Sequence, residues 1–100
     1  FSLHLSNNKL TDITPLSALT DLQELNLSGN TVSNLTPLAG LKKMEKLILS
    51  YNQITDLTSL VGLGKLEELL LFNNPALTNA QISKLQEALP KCEIKHDASR

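Results

Sequence analysis

Residues 22–31, with the sequence LQELNLSGNT, decide the fold because the same pattern recurs twice further along the chain. Residues 44–53 read MEKLILSYNQ and residues 66–75 read LEELLLFNNP, so that each stretch begins 22 residues after the one before. Each stretch has a leading Leu or Met, then two leucines and an asparagine at fixed spacing. Self-similarity with a period of 20 to 50 residues predicts coils that stack into a solenoid.

The period continues through the residues between these stretches. Its columns are Leu3, Leu25, Leu47 and Leu69; Leu5, Leu27, Leu49 and Leu71; Asn8, Asn30, Asn52 and Asn74; Leu10, Val32 and Ile54; Ile13, Leu35 and Leu57; Leu16, Leu38 and Leu60; and Leu19, Leu41 and Leu63. Alternation of Leu-x-Leu places neighbouring side chains on opposite faces of a short strand. Apolar residues at every third position, with Pro15 and Pro37 among them, are typical of an extended or 3₁₀ return segment. The asparagines are expected to turn inward and bind the backbone of the bends.

The pattern L-x-x-L-x-L-x-x-N resembles the leucine-rich repeat family in its 22-residue class, and LTDITPLSALTDLQELNLSGN (residues 10–30) is similar to bacterial internalin-type repeats. The resemblance implies an α/β leucine-rich repeat solenoid with short parallel strands on its concave side and 3₁₀ or extended segments on its convex side. The predicted repeat domain, residues 1–97, contains a partial first repeat (1–21), full repeats (22–43 and 44–65) and a divergent capping repeat (66–97), before a tail (98–100).

The capping repeat departs from the pattern after its asparagine. TNAQISKLQEALP (residues 78–90) predicts a helix in which Thr78 and Gln81 form a capping box and Pro90 ends the last turn. The next residues predict a fifth strand, which together with the helix covers the open end of the solenoid. At an offset of 23, its framework positions are Leu89, Cys92, Ile94 and Asp97, so that Cys92 is expected to be a buried apolar residue.

Alignment of five strands predicts which side chains point outward. The predicted columns are Ser2, Glu24, Lys46, Glu68 and Lys91; His4, Asn26, Ile48, Leu70 and Glu93; Ser6, Ser28, Ser50, Phe72 and Lys95; and Asn7, Gly29, Tyr51, Asn73 and His96. The serines are expected to form a solvated lining. A cluster of exposed apolar side chains indicates a binding surface. The predicted site therefore has four apolar anchors and four flanking charges: Ile48, Tyr51, Leu70 and Phe72, with Glu24, Lys46, Glu68 and Lys91. The alternative is that Leu70 and Phe72 pack against the cap, or that the stem of Lys95 covers the Phe72 ring.

Unlike the capping repeat, the first repeat has no predicted cap and leaves an apolar edge. The exposed edge would contain Leu3, Leu5, Leu10, Ile13, Leu16 and Leu19. Either further repeats or another chain would cover such an edge, and an isolated chain is expected to self-associate through it.

Composition narrows the functional classes. The net charge of −1 and pI of about 6.1 predict no binding to nucleic acid, and no apolar run is long enough for membrane insertion. His4 and His96 belong to the first and last strands, and the single cysteine points inward, so we expect no catalytic site, metal or cofactor. The resemblance implies a non-enzymatic module that binds a protein on its concave face, within an extracellular or bacterial surface protein. Two alternatives remain: a cytoplasmic scaffold or regulatory subunit similar to phosphatase-regulating leucine-rich repeat proteins, and a spacer or targeting arm of a larger enzyme.

Overall fold

The sheet of the solenoid is parallel and follows the order of the chain. The computed structural model describes residues 1–99. Its strands are β1 (Ser2–His4), β2 (Glu24–Asn26), β3 (Lys46–Ile48), β4 (Glu68–Leu70) and β5 (Glu93–Lys95). Between β1 and β4 every strand pairs with residues 22 positions away, as Leu3 does with Leu25. The solenoid predicted from the 22-residue period is therefore confirmed.

The return segments are short 3₁₀ helices, Thr14–Ala18, Thr36–Leu38 and Thr58–Leu60. A polar side chain two residues before each first threonine starts the turn. The Asp56 carboxylate, for example, accepts hydrogen bonds from the backbone N–H and the hydroxyl of Thr58 at 2.9 and 2.8 Å. Asp12 and Asn34 accept the equivalent bonds in the earlier coils. Together with Pro15 and Pro37 in the first two return segments, these bonds fix the backbone direction at the start of the 3₁₀ helices.

The core lies between the sheet and the return segments. Leu25, Leu47 and Leu69 are fully buried, because the coils on both sides cover them. An asparagine ladder runs beside these leucines and supplies the polar partners that the buried bends need. Asn52 accepts a hydrogen bond from the Val32 backbone N–H at 3.0 Å and donates to the carbonyl oxygen of Leu27 at 2.9 Å. The members with this arrangement are Asn30, Asn52 and Asn74.

The helix α1 (Asn79–Ala88) replaces the 3₁₀ segment in the capping repeat. Its predicted capping box is present, since Thr78 accepts from the Gln81 N–H and the Gln81 side chain accepts from the Thr78 N–H. Gln81 also donates to the carbonyl oxygen of Thr55 at 2.8 Å and so fastens the helix to the previous coil. Ile82 and Leu85 are buried in the core, as the apolar periodicity predicts.

The predicted register of the fifth strand is wrong by two residues. Ile94 pairs with Leu69, an offset of 25, whereas the sequence alignment gave 23. A shift of two residues leaves every side chain on the same face of the strand, and the return path through a helix has a different length from a 3₁₀ return. Glu93 consequently stands beside Glu68, and Lys95 stands beside Leu70.

Two other predictions for this segment change with the register. Lys91 lies in the turn before β5 and is exposed, so it does not join the Glu68 column. Asp97 does not occupy the inward asparagine position, because it is exposed and accepts hydrogen bonds from the Asn73 N–H at 3.0 and 3.2 Å. The prediction that Cys92 is buried is confirmed, with 4% of the residue exposed. Ala98, which the repeat boundaries place in the tail, packs against the core.

Candidate protein-binding surface

The four apolar residues predicted as anchors lie on two adjacent coils, at or just after the ends of β3 and β4, and they are called the apolar patch below. Ile48 and Leu70 are directly opposite each other on β3 and β4 and are half-buried. Phe72 follows β4 and is half-buried, while Tyr51 is 61% exposed. The half-buried hydrophobic residues that pack against the core belong to a different group, namely Leu3, Leu5, Leu10, Ile94 and Ala98. The apolar patch therefore lies on the face of the sheet that points away from the core, which is the concave face of the solenoid.

The serine column is not uniformly solvated, contrary to the prediction. Ser50 is only 6% exposed, and its hydroxyl accepts a hydrogen bond from the Phe72 backbone N–H at 3.1 Å. Ser28, the equivalent residue on the earlier coil, is half-buried and donates to Asn26 Oδ1 at 2.9 Å. Asn26 thus engages the Ser28 hydroxyl, whereas Ile48, at the equivalent position of the Ser50 coil, offers no acceptor. Ser50 thus helps to hold the backbone of the apolar patch in place.

The shifted register contradicts one of the alternatives, that the stem of Lys95 covers the Phe72 ring. Lys95 lies beside Leu70, and its ammonium group contacts Glu68 at 3.2 Å and Glu93 at 3.1 Å. Both glutamates are the first residues of their strands, so the Lys95 side chain extends away from Phe72. Leu70, by contrast, has the capping strand as its neighbour. A cap contact and a binding role both remain consistent with its position.

Charged side chains flank the apolar patch at the start of the strands. Lys46 contacts Glu68 at 3.5 Å, so these two residues of the first column form an ion pair between neighbouring strands. The hydrogen bond from Lys95 lowers the pKa of Glu68, and Glu93 and Glu68 raise the pKa of Lys95. Glu24 contacts His4 Nε2 at 3.3 Å. Of the four predicted flanking charges, Glu24, Lys46 and Glu68 are brought together.

In β1 to β4, the residue three positions after the end of the strand has a left-handed backbone. The φ angles are 59° at Asn7, 73° at Gly29, 59° at Tyr51 and 56° at Asn73. Glycine and asparagine adopt this conformation readily, whereas a bulky side chain there costs about 1–2 kcal/mol. The recurrence of Asn and Gly in this column is the sequence signal for this backbone conformation. Tyr51 is the exception in the column, a large and exposed side chain in a strained conformation.

Reactive groups are few in the described part of the chain. Burial raises the pKa of the Cys92 thiol to about 11, so that the thiol is protonated at neutral pH. Within residues 1–99 no three His, Cys, Asp or Glu side chains converge in a way that could hold a metal ion. Over the same residues, no helix has the length and apolar character needed to cross a membrane.

Two sequence models of repeats match the chain. One, described as Leucine Rich repeats (2 copies), matches residues 2–40, and another, described as Leucine Rich repeat, matches residues 40–57. Together they span more than half of the chain. This chain belongs to the leucine-rich repeat family. No curated protein sequence matches this leucine-rich repeat chain.

Solved bacterial structures share its architecture. An internalin (inlF) from Listeria monocytogenes is 30% identical, with a TM-score of 0.88 over 99% of this chain and 30% of its own. An internalin C2 from the same species is 33% identical, with a TM-score of 0.86 over 99% of this chain and 44% of its own. A leucine-rich repeat protein of Leptospira interrogans is 33% identical, with a TM-score of 0.83 over 94% of this chain and 24% of its own. The chain therefore spans less than half the length of each.

Proposed function

We propose that this leucine-rich repeat chain is a non-enzymatic module that binds a protein partner on the concave face of its sheet. The observation that supports the proposal most directly is Tyr51, which stays 61% exposed in a backbone conformation that disfavours it. Strained residues persist where the surrounding structure holds them, and they cluster at ligand-binding sites. Tyrosine is also among the residues that contribute most to protein interfaces.

The apolar patch would supply the anchors of this interface. Ile48, Leu70 and Phe72 offer a half-buried apolar surface that a partner can desolvate completely, and Tyr51 stands at its margin. Glu24, Lys46 and Glu68 flank the patch and would govern orientation more than affinity. Lys91, in the turn before β5, would contact only a partner that extends beyond the sheet.

We further propose that the chain belongs to a bacterial surface or secreted protein. The support is its likeness to two Listeria internalins, each at least 30% identical over 99% of this chain. The partner would then be an extracellular protein. Tagged protein can be incubated with an extract of cell-surface proteins, and the captured partner then purified for direct titration.

The decisive variant replaces Leu70 by Asn and Phe72 by Ser, which are the residue types of the same columns on the β2 coil, Asn26 and Ser28. A truncated hot-spot residue costs about 2 kcal/mol, so we expect each single substitution to weaken binding about 30-fold and the double variant to weaken it by up to about 1,000-fold. Val61→Ser is the matched control, because Val61 is 48% exposed on the convex side. The proposal fails if the double variant melts like the wild type and binds the partner equally well.

A second variant separates binding from stability at Tyr51. Tyr51→Asn places there the residue type found at Asn7 and Asn73, which suits the left-handed backbone. We expect an increase in the free energy of unfolding of about 1 kcal/mol, because the backbone strain is relieved. Binding should weaken by about 10-fold or more at the same time. A purely structural role for Tyr51 would leave the affinity unchanged.

A further inference from the structure

The glutamates of the chain are concentrated along one margin of the concave face. Five of the six lie at or just before the starts of the strands, namely Glu24, Glu45, Glu67, Glu68 and Glu93. The sixth, Glu87, belongs to α1 on the other side of the solenoid. This margin therefore holds most of the chain's glutamates, half of all its acidic residues.

Only part of this negative charge is compensated locally. Lys46 and Lys95 are the lysines of these strands, and both bind Glu68, while Lys95 also binds Glu93. Five glutamates less Lys46, Lys95 and the ammonium group of Phe1, which donates to Gln23 Oε1 at 3.0 Å, leave two negative charges on the margin. Within residues 1–99 the Glu67 carboxylate forms no ion pair, and Glu45 accepts only a 3.4 Å hydrogen bond from Gln23.

The free carboxylates face the same depression as the paired ones. Glu45 and Glu67 lie on adjacent coils, joined by a 2.7 Å hydrogen bond from the Glu67 N–H to the Glu45 carbonyl oxygen. The depression is lined by Ser2, Gln23, Glu24, Glu45, Lys46, Glu67 and Glu68. It adjoins the apolar patch, since Glu68 and Leu70 are the first and last residues of β4.

The opposite margin of the patch carries no charge in the corresponding column. The residues there are Asn7, Gly29, Tyr51 and Asn73. The apolar patch consequently lies between a margin with several glutamates and a margin where the one nearby carboxylate is that of Asp97, which accepts from the Asn73 N–H. Such a charge pattern favours one sign of partner and one orientation, because like charges across an interface cost several kcal/mol.

We propose that the partner binds through an apolar segment flanked by lysine or arginine residues, with the basic side chains directed to the starts of the strands. The inference rests on the proposed function of the concave face and adds the charge and orientation of the partner. With a rise of about 3.3 Å per residue, Glu68 lies about 7 Å from Leu70 and about 13 Å from Phe72 along the chain. The basic residues would therefore stand within about two to four residues of the apolar anchor in an extended segment.

A random 12-residue peptide library displayed on phage tests the inference without knowledge of the partner. The library is selected on the whole chain and depleted on the Leu70→Asn/Phe72→Ser variant, so that only ligands of the apolar patch remain. We expect the remaining peptides to combine an aromatic or aliphatic residue with two or more lysines or arginines. Their affinity, measured by fluorescence polarisation on synthetic peptides, should fall as sodium chloride is raised.

Carboxylate variants then locate the charge that the peptides recognise. Glu67→Gln removes an unpaired carboxylate and should weaken binding about 3-fold, and Glu45→Gln/Glu67→Gln about 10-fold with a smaller salt dependence. Glu87→Gln removes the same charge from α1 and should leave the affinity unchanged. Melting curves verify that each variant folds.

The outcomes separate the inference from the function on which it rests. Peptides that require Leu70 and Phe72 but carry no excess of basic residues would overturn the inference and leave the binding face intact. The same holds if Glu45→Gln/Glu67→Gln binds them as well as the wild type. If no selected peptide depends on Leu70 and Phe72, the proposed function fails and the inference fails with it.

Discussion

The two ends of the solenoid give the same sequence positions different environments. Leu69 is fully buried on β4, whereas its equivalent on β1, Leu3, is only half-buried. Asn74 is 4% exposed and bonds to two coils, whereas Asn8 is exposed and its amide group donates only to the carbonyl oxygen of Ser6. The residue types are identical, and the difference lies in the neighbouring coil. In a solenoid each coil is therefore stabilised mainly by the coils beside it.

The open end is less open than the sequence predicts. Ile13 and Leu16, expected on an exposed edge, are 2% and 9% exposed, because the next coil covers the return segment. Leu3, Leu5 and Leu10 are half-buried. The exposed apolar surface is therefore smaller than predicted. It consists of Leu19, which is 41% exposed, and Phe1, which is 80% exposed, and both line one shallow groove together with Leu3.

The asparagine ladder should show the largest contrast between a central coil and the open end. Asn52→Ala leaves the Val32 N–H without its buried acceptor and removes the hydrogen bonds that the amide donates to the carbonyl oxygens of Leu27, Leu49 and Ser50. We expect a loss of about 4 kcal/mol in the free energy of unfolding. Asn8→Ala should cost less than about 1 kcal/mol. Urea denaturation measures both. Equal losses at the two positions would show that the ladder is not stabilised by neighbouring coils.

Truncation of a leucine should likewise cost more free energy of unfolding in the capping repeat than at the open end. Leu85, on α1, is 1% exposed, and Leu85→Ala should cost about 3 kcal/mol because it leaves a cavity under the cap. Leu3→Ala on β1 should cost about 1 kcal/mol, since the residue is only half-buried. Thermal and urea unfolding of the two variants compare them directly. A larger loss at Leu3 would mean that the open end holds the solenoid together.

Self-association is expected at the open end. We predict that Leu19→Lys raises the dissociation constant of self-association about 10-fold, because a charge replaces a side chain that a neighbouring molecule would bury. Sedimentation equilibrium over a range of concentrations measures the constant. Val61→Lys is the matched control, since Val61 is similarly exposed away from this groove. If the wild type is monomeric throughout the range, the edge does not drive association.

The smallest effect is expected in the capping repeat, as a dependence of stability on pH. Folding raises the pKa of Cys92 from its usual value of 9.0 to about 11, so that between these values the folded state binds more protons than the unfolded state. Stability should therefore fall as pH rises through this window, by about 1 kcal/mol at pH 10. Urea midpoints of wild type and Cys92→Ala, measured at pH 8 and pH 10, isolate this contribution. Parallel pH dependence in the two proteins would contradict it.

The repeat by itself determined the framework of the fold. The 22-residue columns predicted the parallel strands, the 3₁₀ returns, the inward asparagines and the leucine core, because in a solenoid the same local pattern meets the same neighbours in each interior coil. The helix could also be predicted from the sequence, because the capping box of Thr78 and Gln81 and the apolar spacing of Ile82 and Leu85 are local signals. The positions of Ile48, Leu70 and Phe72 outside the core followed from the alternation of the strands.

Tertiary structure determined the features that the repeat pattern does not specify. The register of β5 could not be read from sequence, because offsets of 23 and 25 give the same alternation of inward and outward residues and the helix returns the chain over a different path. The hydrogen bond from the Phe72 N–H to the Ser50 hydroxyl depends on how two coils stack, and the strain at Tyr51 appears only once the backbone of the bend is known. Local patterns thus specify which face a side chain takes. Which neighbour it meets on that face depends on how the coils stack.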